Sequence, residues 1–313
     1  VLTAILVVIP IFALILSGYM VGRFRLLGSS AASELNKFVV FLALPALLFQ
    51  VMAEAKWTTL WQPGFILAFA AGAFAVFALV LGVRVARGRP LAEASVEALN
   101  SGYANAGYVG FPICQAVFGR ESFPLVTVAA LITVSALFAL AIVCIEIGLQ
   151  NEAHAHRIVL KVSRSLLSNP LIVAPILGAG WGAFRIPLPA PVETYLTLLG
   201  AAASPCALVS LGLFLSQRDP ARVAAGRLVA ALAALKLLAQ PAITALLAIP
   251  LLHLAKQPAA IAILIAALPT GTGPFMLAEY YRREALVTSK TILWTTAVSI
   301  VTLTLLISVI RSD

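Results

Sequence analysis

Two short stretches combine residue types that could bind a charged molecule. The first runs Asn100-Ser-Gly-Tyr-Ala-Asn105-Ala-Gly107-Tyr108-Val-Gly110-Phe-Pro112, and the second Leu268-Pro269-Thr270-Gly271-Thr272-Gly273-Pro274-Phe275. Neither contains a charge. Each places amide or hydroxyl groups beside Gly and Pro. Proline removes a backbone donor and clashes with the preceding turn. Glycine weakens a helix and lets a ligand approach the main chain. A helix broken in this way frees N–H groups at the start of its second half, and those groups, with the local dipole, favour an anion. The expected chemistry is recognition of a small carboxylate. Asn105, Gly107, Tyr108 and Gly110 would face it from one stretch, and Thr270, Gly271, Thr272 and Gly273 from the other. Pro112 and Pro274 would hold the breaks.

Lys236 is a third candidate. It is the one charge inside an otherwise apolar run at 228–252. Nine residues into that run, it lies ~13 Å from the end at helical rise, too far to reach water comfortably. It is either a functional group, for an anion or a proton, or a structural lysine bonded to carbonyls. Other chemistry finds little support. There is no H-E-x-x-H, no G-x-S-x-G and no mid-span acid pair, so an enzyme is not expected. Cys114, Cys144 and Cys206 are scattered in apolar surroundings. They read as small buried hydrophobes. His154 and His156 read as part of a solvated loop. No metal and no cofactor is expected.

The elements that must position these residues follow from composition. The chain has 313 residues, of which 62% are hydrophobic and 11% charged. A soluble domain carries about 25% charged residues. So few charges cannot coat a soluble protein of this size, and the surface must face lipid. Charge-free runs mark ten candidate membrane spans: 1–22, 38–53, 57–83, 98–119, 122–145, 165–184, 194–217, 228–252, 257–278 and 291–310. The second is expected to start near Ser30. The runs are long and continuous rather than alternating, which indicates helices and not a β-barrel. The two candidate stretches are the fourth and ninth spans.

The net charge of +9 is one-sided. One set of loops carries 14 Lys and Arg, among them Arg23, Arg25, Arg84, Arg89, Arg164, Arg227 and Arg283, against five in the opposite set. The richer side should be cytoplasmic, which places both termini outside. The basic balance therefore gives no reason to expect a nucleic-acid partner. The Arg and Ala bias suits a multi-pass protein of a bacterial inner membrane. Glu34, Glu97 and Glu146 fall near predicted cytoplasmic ends, where an interfacial position is expected. Glu279 is expected to cap the ninth span or to pair with Arg282 or Arg283. Pro45, Pro205 and Pro241 read as single kinks.

Self-comparison at an offset of 160 aligns Pro10, Gly18, Gly22, Phe24, Arg25 and Pro45 with Pro170, Gly178, Gly182, Phe184, Arg185 and Pro205. At 162, Pro112 falls on Pro274. The offset covers five spans, an odd number, so the second copy would be inverted. Inverted repeats with paired broken helices are a transporter architecture, and the breaks point to the binding site. The expected division is a first repeat at 1–149, a connecting loop at 150–164 and a second repeat at 165–313.

These stretches also carry a family likeness. Asn36-Lys-Phe38 through Pro45 to Phe49 resembles the second helix of the auxin efflux carrier family. Asn105 to Pro112 is similar to that family's N-x-x-x-x-G-x-P element. Ala267-Leu-Pro269-Thr-Gly271-Thr-Gly-Pro274-Phe275 resembles its A-L-P-x-G-x-x-P-F element, and Lys236 to Pro241 is similar to a further one. The resemblance implies ten helices in two inverted five-helix repeats. Helices 1, 2, 6 and 7 would form a scaffold. Helices 3–5 and 8–10 would form a transport part, with the fourth and ninth crossing. It also implies a homodimer and a substrate that is an organic anion, auxin-like or of malate or malonate type. Plant members carry an acidic residue near the site, whereas the third span here has no charge. A sodium-coupled carrier of bile-acid type is the alternative. It would share the crossed architecture but would need acids around the breaks.

Overall fold

A computed structural model describes residues 2–28, 30–55, 60–150, 163–164, 166–217 and 226–312. For Tyr108 it describes the backbone. His154 and His156 lie outside the described residues. The described chain is helical throughout, with one isolated two-residue β-bridge. Its helices are α1 (Leu2–Arg23), α2 (Ala31–Ala53), α3 (Pro63–Ala86), α4 (Leu91–Gly102), α5 (Phe111–Phe118) and α6 (Arg120–Gly148). After the connection come α7 (Pro170–Ala183), α8 (Ala190–Ser216), α9 (Gly226–Leu251), α10 (Lys256–Ala266), α11 (Gly273–Tyr280) and α12 (Ala285–Ser312).

Among the described residues, six helices are long and apolar enough to cross a membrane: α2, α3, α6, α8, α9 and α12 up to Ile310. Parts of α1, α7 and α10 are shorter apolar helices. The chain is thus a multi-pass membrane protein. The expected kinks take a defined form. One π-turn, Val39–Ala43, directly precedes the turn that holds Pro45, and another, Leu235–Ala239, precedes Pro241. A π-turn widens the helix locally and accommodates the donor that proline lacks.

The fourth span starts earlier than its charge-free run. Helix α4 begins at Leu91 and includes Glu93 and Glu97. Glu97 is fully buried within the protein. Its carboxylate takes both Nε and Nη2 of Arg84 and also Nε of Arg89 at 3.3 Å. A buried charge persists when it is paired in this way. Arg89 also pairs with Glu284, and Arg283 with Glu93 at 2.6 Å. The expected partner of Arg283, Glu279, is therefore not the one it takes. Glu146 is likewise buried, accepting the Tyr281 hydroxyl at 2.7 Å.

Helices α1 and α7 pack by the same device. A Cβ on Gly18 would lie 2.1 Å from the Val209 carbonyl oxygen of α8, and one on Gly178 would lie 2.3 Å from that of Phe49 in α2. Only glycine allows backbones so close. Both helices then end in the same turn. Arg25 and Arg185 each have φ of 55°, and their amides donate to Gly22 and Gly182 at 3.1 Å. The positions are 160 residues apart, the offset at which the sequence aligns with itself.

Two large apolar clusters fill most of the interior, beside a small one of Ala68, Ala248 and Ala259. One gathers Val40, Phe77, Leu99, Tyr103, Phe138 and Leu277. The other gathers Phe65, Phe69, Ala104, Ile113, Leu268 and Phe275. The chain passes from one cluster to the other at Tyr103–Ala104, where α4 stops.

Candidate functional site

Both candidate stretches are broken helices, and the breaks meet. Helix α4 ends at Gly102 and the chain turns extended at Tyr103. Helix α10 ends at Ala266, and Pro269 disfavours helix at Leu268 before it. Ala104 and Thr270 then form an antiparallel bridge. The Asn105 amide donates to the Pro269 carbonyl at 2.9 Å, and the Gly271 amide donates to Tyr103 at 3.0 Å. Irregular backbone at membrane depth is tolerated only where protein buries it, and here each break supplies partners to the other.

Side chains supply donors to several carbonyls at the ends of α4 and α10. Lys236 Nζ donates to Ala266 O at 2.7 Å. Gln240 Nε2 donates to Gly102 O at 3.3 Å. The Thr270 hydroxyl donates to Asn100 O at 2.8 Å, and the Thr270 amide donates to the Thr295 hydroxyl at 3.1 Å. Lys236 is fully buried. The structure thus gives it the carbonyl-bonded place that was one of its two expected readings. An ammonium is also favoured at the negative end of a helix such as α10.

The second halves start immediately beyond the bridge. A π-turn, Ala106–Gly110, leads into α5, and α11 starts at Gly273. Pro112 and Pro274 are each the second residue of their helix. At Pro274 the missing N–H costs nothing, because the first turn has no intrahelical acceptor for it; at Pro112 the preceding π-turn accommodates the absent donor. The negative ends of α4 and α10 are therefore occupied by donors, while the positive ends of α5 and α11 flank the bridge. The arrangement can hold an anion without a fixed counter-charge.

The expected residues do not all occupy equivalent places. Asn105, Thr270 and Thr272 are buried at the bridge. Gly107 is exposed, with nothing within 4 Å of a Cβ built on it. Gly110 packs against Leu268 and Val126. Gly271 and Gly273 lie under the Tyr103 ring. The Tyr108 side chain lies outside what the structure describes. Tyr103, Gln240, Asn100 and Thr295 belong to the same constellation and were not singled out by sequence. Gln240 carried a signal, four residues beyond Lys236 and hence on its side of the helix.

Two surface cavities lie elsewhere. One of about 790 Å³ is bordered by Arg23, Arg25 and Ser216, and one of about 580 Å³ by Phe118, Lys256 and Leu306. No residue of the bridge lines either. Chemistry rather than cavity size marks the bridge as the candidate site.

A family profile described as membrane transport protein matches residues 3–307. The chain belongs to this family, the auxin efflux carrier family. It is 30% identical over 310 residues to a Rhizobium meliloti (strain 1021) protein named "Putative malonate transporter", covering 97% of this chain and 95% of that protein. It is 34% identical over 148 residues to auxin efflux carrier component 3a of Oryza sativa subsp. japonica, covering 44% of this chain. It is 35% identical over 129 residues to auxin efflux carrier component 3 of Arabidopsis thaliana, covering 40% of this chain. The chain spans 23% and 20% of the length of these two plant proteins.

Proposed function

We propose that the protein is a secondary transporter of small organic anions working by alternating access, with the substrate carboxylate bound where the two broken helices meet. The observation that carries this reading is the Ala104–Thr270 bridge. It brings the positive ends of two helices together in a chain built for a membrane, and it leaves no charge of its own to oppose an anion. Asn105 and the backbone near Gly107 and Gly110 are the proposed ligands on one side, with Thr272 and the 271–273 backbone on the other. Tyr108 belongs to the same proposal.

The finer architecture is part of the proposal. Ten membrane passes would form two inverted repeats, 1–149 and 165–313, joined by the loop at 150–164. The matched glycines of α1 and α7 and the matched turns at Arg25 and Arg185 support it. Helices 1, 2, 6 and 7 would stay fixed while the rest moves, and two copies would associate through the fixed part. The proposed setting is a bacterial inner membrane with both termini outside. The substrate we favour is a malonate-type dicarboxylate, because the relative that aligns over nearly the whole chain carries that name.

The test is a thermal-shift screen of purified protein against mono- and dicarboxylates, with and without sodium. Stabilisation by a small dicarboxylate, independent of sodium, is expected. Stabilisation that requires sodium would favour the bile-acid type instead, and none with any carboxylate would overturn the proposal.

A further inference from the structure

Tyr103 has an unused hydroxyl at the start of α11. Its backbone closes one end of the bridge through the hydrogen bond from Gly271. Its ring is buried, with only 6% of the residue exposed. A Cβ on Gly271 would lie 3.0 Å from ring atoms Cδ1 and Cε1, and a Cβ on Gly273 would lie 2.4 Å from Cζ and 2.6 Å from the hydroxyl oxygen. The ring therefore runs along the second break, and the hydroxyl stops at the first residue of α11. Phe138 flanks it, with ring centroids 5.7 Å apart. Among the described residues the Tyr103 hydroxyl has no hydrogen-bond partner. The hydroxyls of Thr270, Thr291, Thr295 and Thr296 nearby in sequence or space all donate to carbonyls.

We propose that Tyr103 is a substrate-contacting, specificity-determining residue. Its hydroxyl donates to the bound carboxylate at the α11 N-terminus, and its ring limits the site to compact anions. This deepens the carboxylate-transport reading and rests on it. A phenol hydroxyl without a protein partner, at the tip of a buried ring, is poised for an acceptor that arrives with the ligand. A carboxylate attracted to the first turn of α11 would find that hydroxyl beside the helix amides. The ring meanwhile occupies the face that Gly271 and Gly273 leave bare. An aromatic acid the size of an indole would need that volume, whereas a three-carbon dicarboxylate would not.

The experiment measures binding of malonate and of indole-3-acetate to purified full-length protein. It compares wild type, Tyr103→Phe, Tyr103→Leu and Asn105→Ala. Tyr103→Phe keeps the ring and removes only the donor. Malonate affinity should fall about tenfold, the scale of one hydrogen bond to a charged group, with the ligand-free melting temperature unchanged. Tyr103→Leu should shift the preference toward indole-3-acetate by a similar factor. Wild-type malonate affinity in Tyr103→Phe together with an unshifted preference in Tyr103→Leu would overturn the inference. If Asn105→Ala then still weakens malonate binding, only the role of Tyr103 fails. If Asn105→Ala also binds as wild type, or wild type binds no malonate, the site itself is misplaced.

Discussion

Lys236 and Gln240, one turn apart on α9, cap the last carbonyls of the two first half-helices, Ala266 of α10 and Gly102 of α4. One helix face thus secures both breaks. Interrupting a helix inside a membrane leaves carbonyls that lipid cannot satisfy, and this pair meets that need from a single element. The first prediction follows directly. Lys236→Met and Gln240→Leu should each destabilise the protein by about 1–3 kcal/mol, the cost of an orphaned buried acceptor. Thermal unfolding in detergent measures it. A melting temperature equal to wild type for both would show that neither cap matters.

Glu97 is the anchor of the charge cluster between α3, α4 and the α11–α12 turn. Glu97→Gln should cost about 2–3 kcal/mol, less than for a fully buried pair because Arg84 and Arg89 still reach solvent. Glu34→Gln, whose exposed partner is Lys37, should change stability far less. Comparing the two melting temperatures separates a structural ion cluster from a surface pair.

Glu284 gives the pH prediction. Burial pushes its carboxyl above the usual glutamate range, and Glu97 and Glu93 add to this against the opposing pull of Arg89. The protonated form is therefore favoured in the fold. That contribution is complete below the ordinary glutamate pKa and is lost as pH rises through the elevated value. Wild type should lose stability relative to Glu284→Gln as pH is raised from 4 to 7, so that the wild-type melting temperature minus that of the variant falls. A wild-type-minus-variant value that rises over the same range would contradict this sign.

Gly273→Ala places a methyl 2.4 Å from Tyr103 Cζ. Overpacking of this kind costs typically about 1–3 kcal/mol. The second variant Gly273→Ala/Tyr103→Leu should recover part of the loss, because the clash is with the ring. Melting temperatures of the single and double variants form a cycle. Simple additivity would mean that the two residues do not compete for this space.

Much of the fold was legible because apolar runs in a chain with 11% charge leave few alternatives to membrane helices. The breaks at Asn105 and Thr270 were legible too, since Gly and Pro interrupt helices for local reasons. What escaped was tertiary. The burial of Glu97 escaped because sequence cannot show that Arg84 and Arg89 close over it. Tyr103 was not singled out, because its neighbour Gly273 lies 170 residues away in the chain. Lys236 admitted two readings because sequence cannot show the contact it makes with the Ala266 carbonyl.

Transport itself tests the central claim. Purified wild type and Asn105→Ala would be reconstituted into liposomes loaded with malonate, and entry of labelled malonate by counterflow measured. Wild type should accumulate label transiently above equilibrium, and Asn105→Ala should do so at least about tenfold more slowly, as expected when a hydrogen-bonding ligand to a charged group is removed. Equal counterflow by both, or none by the folded wild type, would contradict a carboxylate carrier whose site lies at the meeting of the two broken helices.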